Sequence, residues 1–199
     1  MSTAEPFTSW SAQVIAFNAL ALSAGLLVAR LVLGLLMAAH GAQKLFGWFG
    51  GYGLGATAGF FEQLGFRPGR LFAALAAGTE LASGVLVALG LLGPVGPALM
   101  LSVMIVAAVS VHWRHGVFAQ QNGIEVTLLY GSAAFALALT GPGLFSLDAA
   151  LGIATLWTST LAVGALAVGI VGGIANLAAR RPAPPAPAPD ASAARAPSR

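Results

Sequence analysis

The sequence predicts an all-α integral membrane protein, folded as a single helical bundle. Three observations carry this reading. Of the 199 residues, 58% are hydrophobic and 8% charged, with a mean hydropathy of +0.87. A water-soluble domain carries about 25% charged residues, so this chain could not cover a solvated surface. The apolar residues fall in runs close to the ~20 residues that a transmembrane helix needs. The Lys and Arg residues, finally, alternate in placement with those runs. The length leaves room for four to six spans and none for a separate catalytic domain.

The elements follow in order. Residues 1–19 form an N-terminal segment, read as an interfacial helix from Trp10. No basic residue precedes the first apolar run, so that run is expected to be retained rather than cleaved as a signal peptide. The first span covers residues 20–40 and contains Arg30. Residues 41–69 are rich in glycine and aromatic residues and read as a loop with a re-entrant or interfacial part. The second span, 70–92, has Glu80 near its middle. Gly93-Pro94-Val95-Gly96-Pro97 breaks the chain. The third span, 98–112, leads through a polar link to Asn122-Gly123. The fourth, 124–140, starts next to Glu125 and closes at Gly141-Pro142-Gly143. A fifth, 157–179, precedes a Pro/Ala-rich tail, 180–199, expected to be disordered.

Charge placement orients these spans. Five crossings put Lys44, Arg67, Arg70, Arg114, Arg180, Arg181, Arg195 and Arg199 on one side and no Lys or Arg on the other. By the positive-inside rule the N-terminus lies outside and the C-terminus in the cytoplasm. Trp10 and Trp157 then mark the outer interface, Trp48 and Trp113 the inner one.

Charges inside a membrane are costly and normally find partners in the bundle. Arg30 and Glu80 each lie about ten residues from a span end on antiparallel helices, so they are expected at one depth as a buried ion pair. A second group, His40, Lys44, His112 and Glu125, gathers at the inner ends of the spans with Arg114 and His115 close by. These four are the ligand-binding candidates, with imidazoles able to titrate near neutral pH. A haem between His40 and His112 is disfavoured, because a histidine pair near an interface is more often not an axial pair. No cysteine is present. This removes thiol redox chemistry, thiolate metal sites and iron–sulfur ligation within the chain, and no metal site is expected. Gly53-Leu54-Gly55-Ala56-Thr57-Ala58 matches a loose dinucleotide string, but no strand precedes it and it is set aside. The sparse positive charge gives no basis for nucleic-acid binding. Gly169-x-x-x-Gly173 in the last span favours helix packing or dimerisation.

Arg30-Leu-Val-Leu-Gly34 with His40-Gly-Ala-Gln-Lys44-Leu-Phe-Gly47 resembles the first-helix motif of the DoxX family. Gly78-Thr-Glu80-Leu-Ala-Ser-Gly84 resembles its second-helix motif. Asn122-Gly-Ile-Glu125 and Gly143-Leu-Phe-Ser-Leu-Asp148 are similar to its fourth-helix start and closing segment. The resemblance implies a four-helix core over residues 20–152, to which 153–179 adds a transmembrane helix. It also implies a protein of the bacterial inner membrane in a functionally mixed family that includes a thiosulfate:quinone oxidoreductase subunit. The expected function is a quinone-linked oxidoreductase or the membrane subunit of a redox complex. His40, Lys44 and Glu125 would line a quinone pocket beside the aromatic residues of the 41–69 loop, and electrons would come from a partner protein. Two other classes stand beside this one. A small-molecule or proton-coupled transporter fits the buried charges but would need a homo-oligomer. A non-catalytic assembly factor would hold a protein partner through the basic face.

Overall fold

The computed structural model describes residues 5–181, and among these it is helical, with no strand. The long helices are α1 (Glu5–Phe46), α3 (Gly69–Leu89), α4 (Val95–Ala107) and α7 (Ser159–Ala178), with the shorter α5 (Glu125–Thr140). Two smaller helices sit in the connections, α2 (Gly53–Gln63) after α1 and the four-residue α6 (Leu147–Ala150) after α5. A π-helical turn, Ala108–His112, and a 3-10 turn, Trp113–His115, extend α4. Four of these helices are long and apolar enough to cross a bilayer, and α5 is apolar but shorter. This is a helical membrane bundle.

Small residues set the register. α1 and α3 run antiparallel with backbones in close approach, because neither side presents a side chain at the crossing. A methyl group added at Gly34 would fall 2.6 Å from the Gly84 carbonyl oxygen, and one at Gly41 would fall 2.6 Å from that of Ala77. Residue 40 of α1 therefore lies level with Glu80, and Arg30 lies level with Gly90, where α3 ends. The apolar centre of the bundle is formed by Met37, Val87, Met100, Met104, Tyr130, Ala134 and Leu137. On α7, Gly169 approaches Ala98 and Gly173 approaches Ser102 and Ile105, so α7 runs parallel to α4. The glycine stripe of the last span is thus used within the chain, against α4.

Several expectations change here. α1 starts at Glu5 rather than near residue 20, and extends through Phe46. Its residues 12–22 are exposed, and contact with the bundle begins at Ser23, whose hydroxyl accepts the Leu144 amide at 3.1 Å. The expected Arg30–Glu80 pair is not formed. The α1/α3 register separates the two levels by ten residues, about 15 Å along a helix. The span limits read from hydropathy had placed both at the same depth, because they missed the extra length of α1. The first tail residues are also ordered. Arg180 donates from Nε to the Leu64 carbonyl at 2.9 Å and its guanidinium lies 5.6 Å from the Phe66 ring centre. The Arg181 amide donates to the Gly65 carbonyl at 2.7 Å. The expectation of disorder beyond residue 181 lies outside the described residues.

The bundle has two unlike ends. The C-terminal ends of α1, α4 and α7 and the N-terminal ends of α3 and α5 meet at one of them. Lys44, Arg67, Arg70, Arg114, Arg180 and Arg181 lie there, and it is called the basic end below. The opposite end carries the α3–α4 turn and the α5–α7 connection. There Asp148, fully buried, accepts the amides of Leu92 at 2.9 Å and Gly93 at 2.7 Å. Its own amide donates to the Gly90 carbonyl at 3.1 Å. Leu92 has a φ of 61°, a left-handed conformation costly for a leucine, and the carboxylate holds the turn in that shape. Arg30 donates to the Phe145 carbonyl beside this cluster, close enough to Asp148 for direct electrostatic attraction.

Candidate cavity at the basic end

Glu80 lies on the α3 face that packs against α1, one turn from Ala77, Ser83 and Gly84, all buried. Burial leaves this carboxylate 4% exposed, so it needs a cation. The register supplies Lys44, one turn beyond residue 40, and its ammonium donates to Glu80 Oε1. The Lys44 side chain remains 34% exposed. Glu80 Oε2 is buried and has no hydrogen-bond partner.

The ion pair borders a cavity of about 500 Å³ enclosed by α1, α2, α3 and α4. α2 closes one side because the chain reverses sharply after α1. Gly47, Gly50 and Gly53 take φ values of 74°, 77° and 74°, which glycine adopts at little cost. Gln43 steadies that reversal by donating from Nε2 to the Phe49 carbonyl at 3.1 Å. Phe60 and Phe61 of α2, Leu64 just after it, and Val103, Val106 and Ala107 of α4 make apolar walls. Thr57, Ser110 and His112 add polar atoms, and Tyr52, 87% exposed, stands at the rim. Ser110 continues the helical stripe of Val103, Val106 and Ala107, and His112 joins the lining from the end of the π turn at Ala108–His112.

The four candidates from the sequence divide. Lys44 and His112 line this cavity. His40 is exposed and packs edge-on against Tyr130 of α5, ring centres 6.2 Å apart, outside the cavity lining. Glu125 Oε2 accepts the Ala119 amide at 2.7 Å, bracing the link before α5, and it too is absent from the lining. His115 is exposed and bonds through Nδ1 to the Val111 carbonyl. Gln43, Thr57 and Ser110 were not singled out from the sequence. Isolated polar residues in apolar runs give no signal of shared position unless the helix register is known. Among the described residues no cluster of His, Asp or Glu has metal-binding spacing. A second groove of about 460 Å³ between α4 and α5 is lined by apolar side chains with Thr127 and Ser132, and it holds no titratable group.

An amphipathic ring fits the first cavity chemically. The walls offer apolar and aromatic surface, one edge offers a cation and a carboxylate, and the volume lies in the range of small-ligand sites. No curated protein and no solved structure matches the chain. The family model for DoxX matches residues 25–113, which run from the bundle portion of α1 to the turn after α4. The match therefore contains Lys44, Glu80 and nearly every wall of the cavity, and ends before the two later motifs at 122–125 and 143–148. Over residues 25–113, a little under half of its length, this chain is similar to the DoxX family of membrane proteins.

Proposed function

We propose that this chain binds the headgroup of a membrane quinone in the basic-end cavity and serves as the membrane subunit of a quinone-linked redox complex. The observation that carries the reading is the Lys44–Glu80 pair set into otherwise apolar, aromatic walls. A ring carbonyl can accept from the Lys44 ammonium while its edges pack against Phe60 and Phe61. Reduction of a quinone consumes two protons for two electrons, so acids must stand near the carbonyl oxygens. This reading assigns Lys44 as the proton-bearing group at that edge, and the basic end gives it access to water. The chain has no cysteine to pass electrons, so a partner protein is assigned that task. The basic end is assigned to the cytoplasm of a bacterial plasma membrane by the positive-inside rule.

Titration of the purified protein with decylubiquinone, followed by tryptophan fluorescence, tests the reading. Saturable binding is expected, weakened at least tenfold in Lys44→Gln with the fold retained by circular dichroism. Absence of saturable binding by the unaltered chain would overturn it.

A further inference from the structure

We infer that the cavity prefers the reduced, hydroxyl-bearing ring, a quinol, over the oxidised carbonyl form. The inference rests on the quinone-site reading and follows from which protons the cavity walls have already given away. Thr57 Oγ1 donates to the Gly53 carbonyl at 2.8 Å, and Ser110 Oγ to that of Val106 at 2.5 Å. Gln43 Nε2 gives one proton to the Phe49 carbonyl. His112 Nδ1 lies 2.8 Å from the Asn122 carbonyl oxygen. A carbonyl only accepts, so Nδ1 carries the proton and Nε2 of the neutral ring is left as an acceptor. Glu80 accepts by nature, and its Oε2 has no donor.

What the walls keep for a ligand is therefore mostly lone pairs. The remaining donors are the two ammonium protons that Lys44 does not give to Glu80, the second amide proton of Gln43, and the Tyr52 hydroxyl at the rim. A quinone brings two acceptors and no donor into this setting, so Glu80 Oε2 stays unpaired and His112 Nε2 gains nothing from the ring. A quinol brings two O–H donors and keeps oxygen lone pairs for Lys44. Sites with acceptors waiting discriminate strongly against a ligand that lacks the matching protons, because desolvated groups are left unsatisfied.

The test compares three ligands by anaerobic calorimetry on the full chain in detergent: decylubiquinol, decylubiquinone and the dimethyl ether of the quinol. The quinol is expected to bind at least about tenfold more tightly than the other two, about 1.4 kcal/mol. In Ser110→Ala/His112→Phe the ratio is expected to fall below about threefold, chiefly through weaker quinol binding. A quinone that binds as tightly as the quinol, or an ether that matches it, overturns the inference and leaves the quinone site standing. Binding by none of the three overturns the site itself. If the double variant fails to fold, the three-ligand comparison on the unaltered chain decides alone.

Discussion

Replacing Lys44 by Met should destabilise the protein far more than replacing Glu80 by Gln. The asymmetry follows from burial, since the Glu80 side chain is 4% exposed and that of Lys44 is 34% exposed. Two unit charges about 3 Å apart attract by roughly 5 kcal/mol at an effective dielectric of ~20, an upper limit here because water reaches Lys44. Lys44→Met strands a carboxylate in an apolar helix interface, and losing one partner of a buried pair costs about 3–5 kcal/mol. Glu80→Gln strands only an ammonium that can turn to water at the basic end, for about 1–2 kcal/mol. The double variant removes both charges and should lose about 2 kcal/mol, so the cycle should show about 2–5 kcal/mol of coupling. Reversible unfolding in bicelles, followed by steric trapping, gives the four free energies. Equal losses in the two single variants, or strictly additive ones, would refute the reasoning from burial.

Arg30→Ala and Glu80→Gln lie at different levels of the bundle, so their effects should add to within about 0.5 kcal/mol in the same assay. Asp148→Ala leaves the Leu92 and Gly93 amides without acceptors and Arg30 without its nearby anion. It should cost about 3–5 kcal/mol. Asp148→Asn, which keeps one acceptor oxygen, should cost less, and both are read as lost melting temperature and membrane abundance. Reporter fusions after Arg181 should report a cytoplasmic terminus, and a periplasmic signal would reverse the assignment of the basic end.

Much of this architecture is legible in composition and charge placement, because a bilayer allows few solutions to an apolar chain. The apolar runs mark α3, α4, α5 and α7 to within a few residues. What hydropathy does not give is depth. The midpoint of an apolar run coincides with the bundle centre only when the whole run is packed, and α1 extends well beyond its partners. The register was nevertheless written in the glycines. Gly34 and Gly41 on α1, and Ala77, Gly84 and Ala88 on α3, fall at helical spacings that align residue 40 with residue 80. Read that way, the sequence makes Lys44 the nearest cation to Glu80. His112 could not be joined to Ser110 from the sequence, because the π turn at the end of α4 carries no compositional mark. Glu125 drew notice as a charge opening an apolar run, but a carboxylate at a helix start commonly takes a backbone amide, as it does here.

The two buried charge clusters differ in how their carboxylates are satisfied and in the space beside them. At the turn end both Asp148 oxygens are held by backbone amides, and the neighbouring void measures about 10 Å³. Arg30 Nε and Nη1 face no protein acceptor there. A void of that size holds one water and nothing larger. Arg30 and Asp148 therefore act on the shape of the α3–α4 turn and the docking of α6, where an added methyl at Gly90 would fall 2.7 Å from Ser146 Cβ. At the basic end the ion pair borders about 500 Å³ of space walled by aromatic side chains, and one carboxylate oxygen lacks a partner. The proposed ligand site rests on what the turn end lacks, a volume large enough for a ring beside an unmatched carboxylate oxygen.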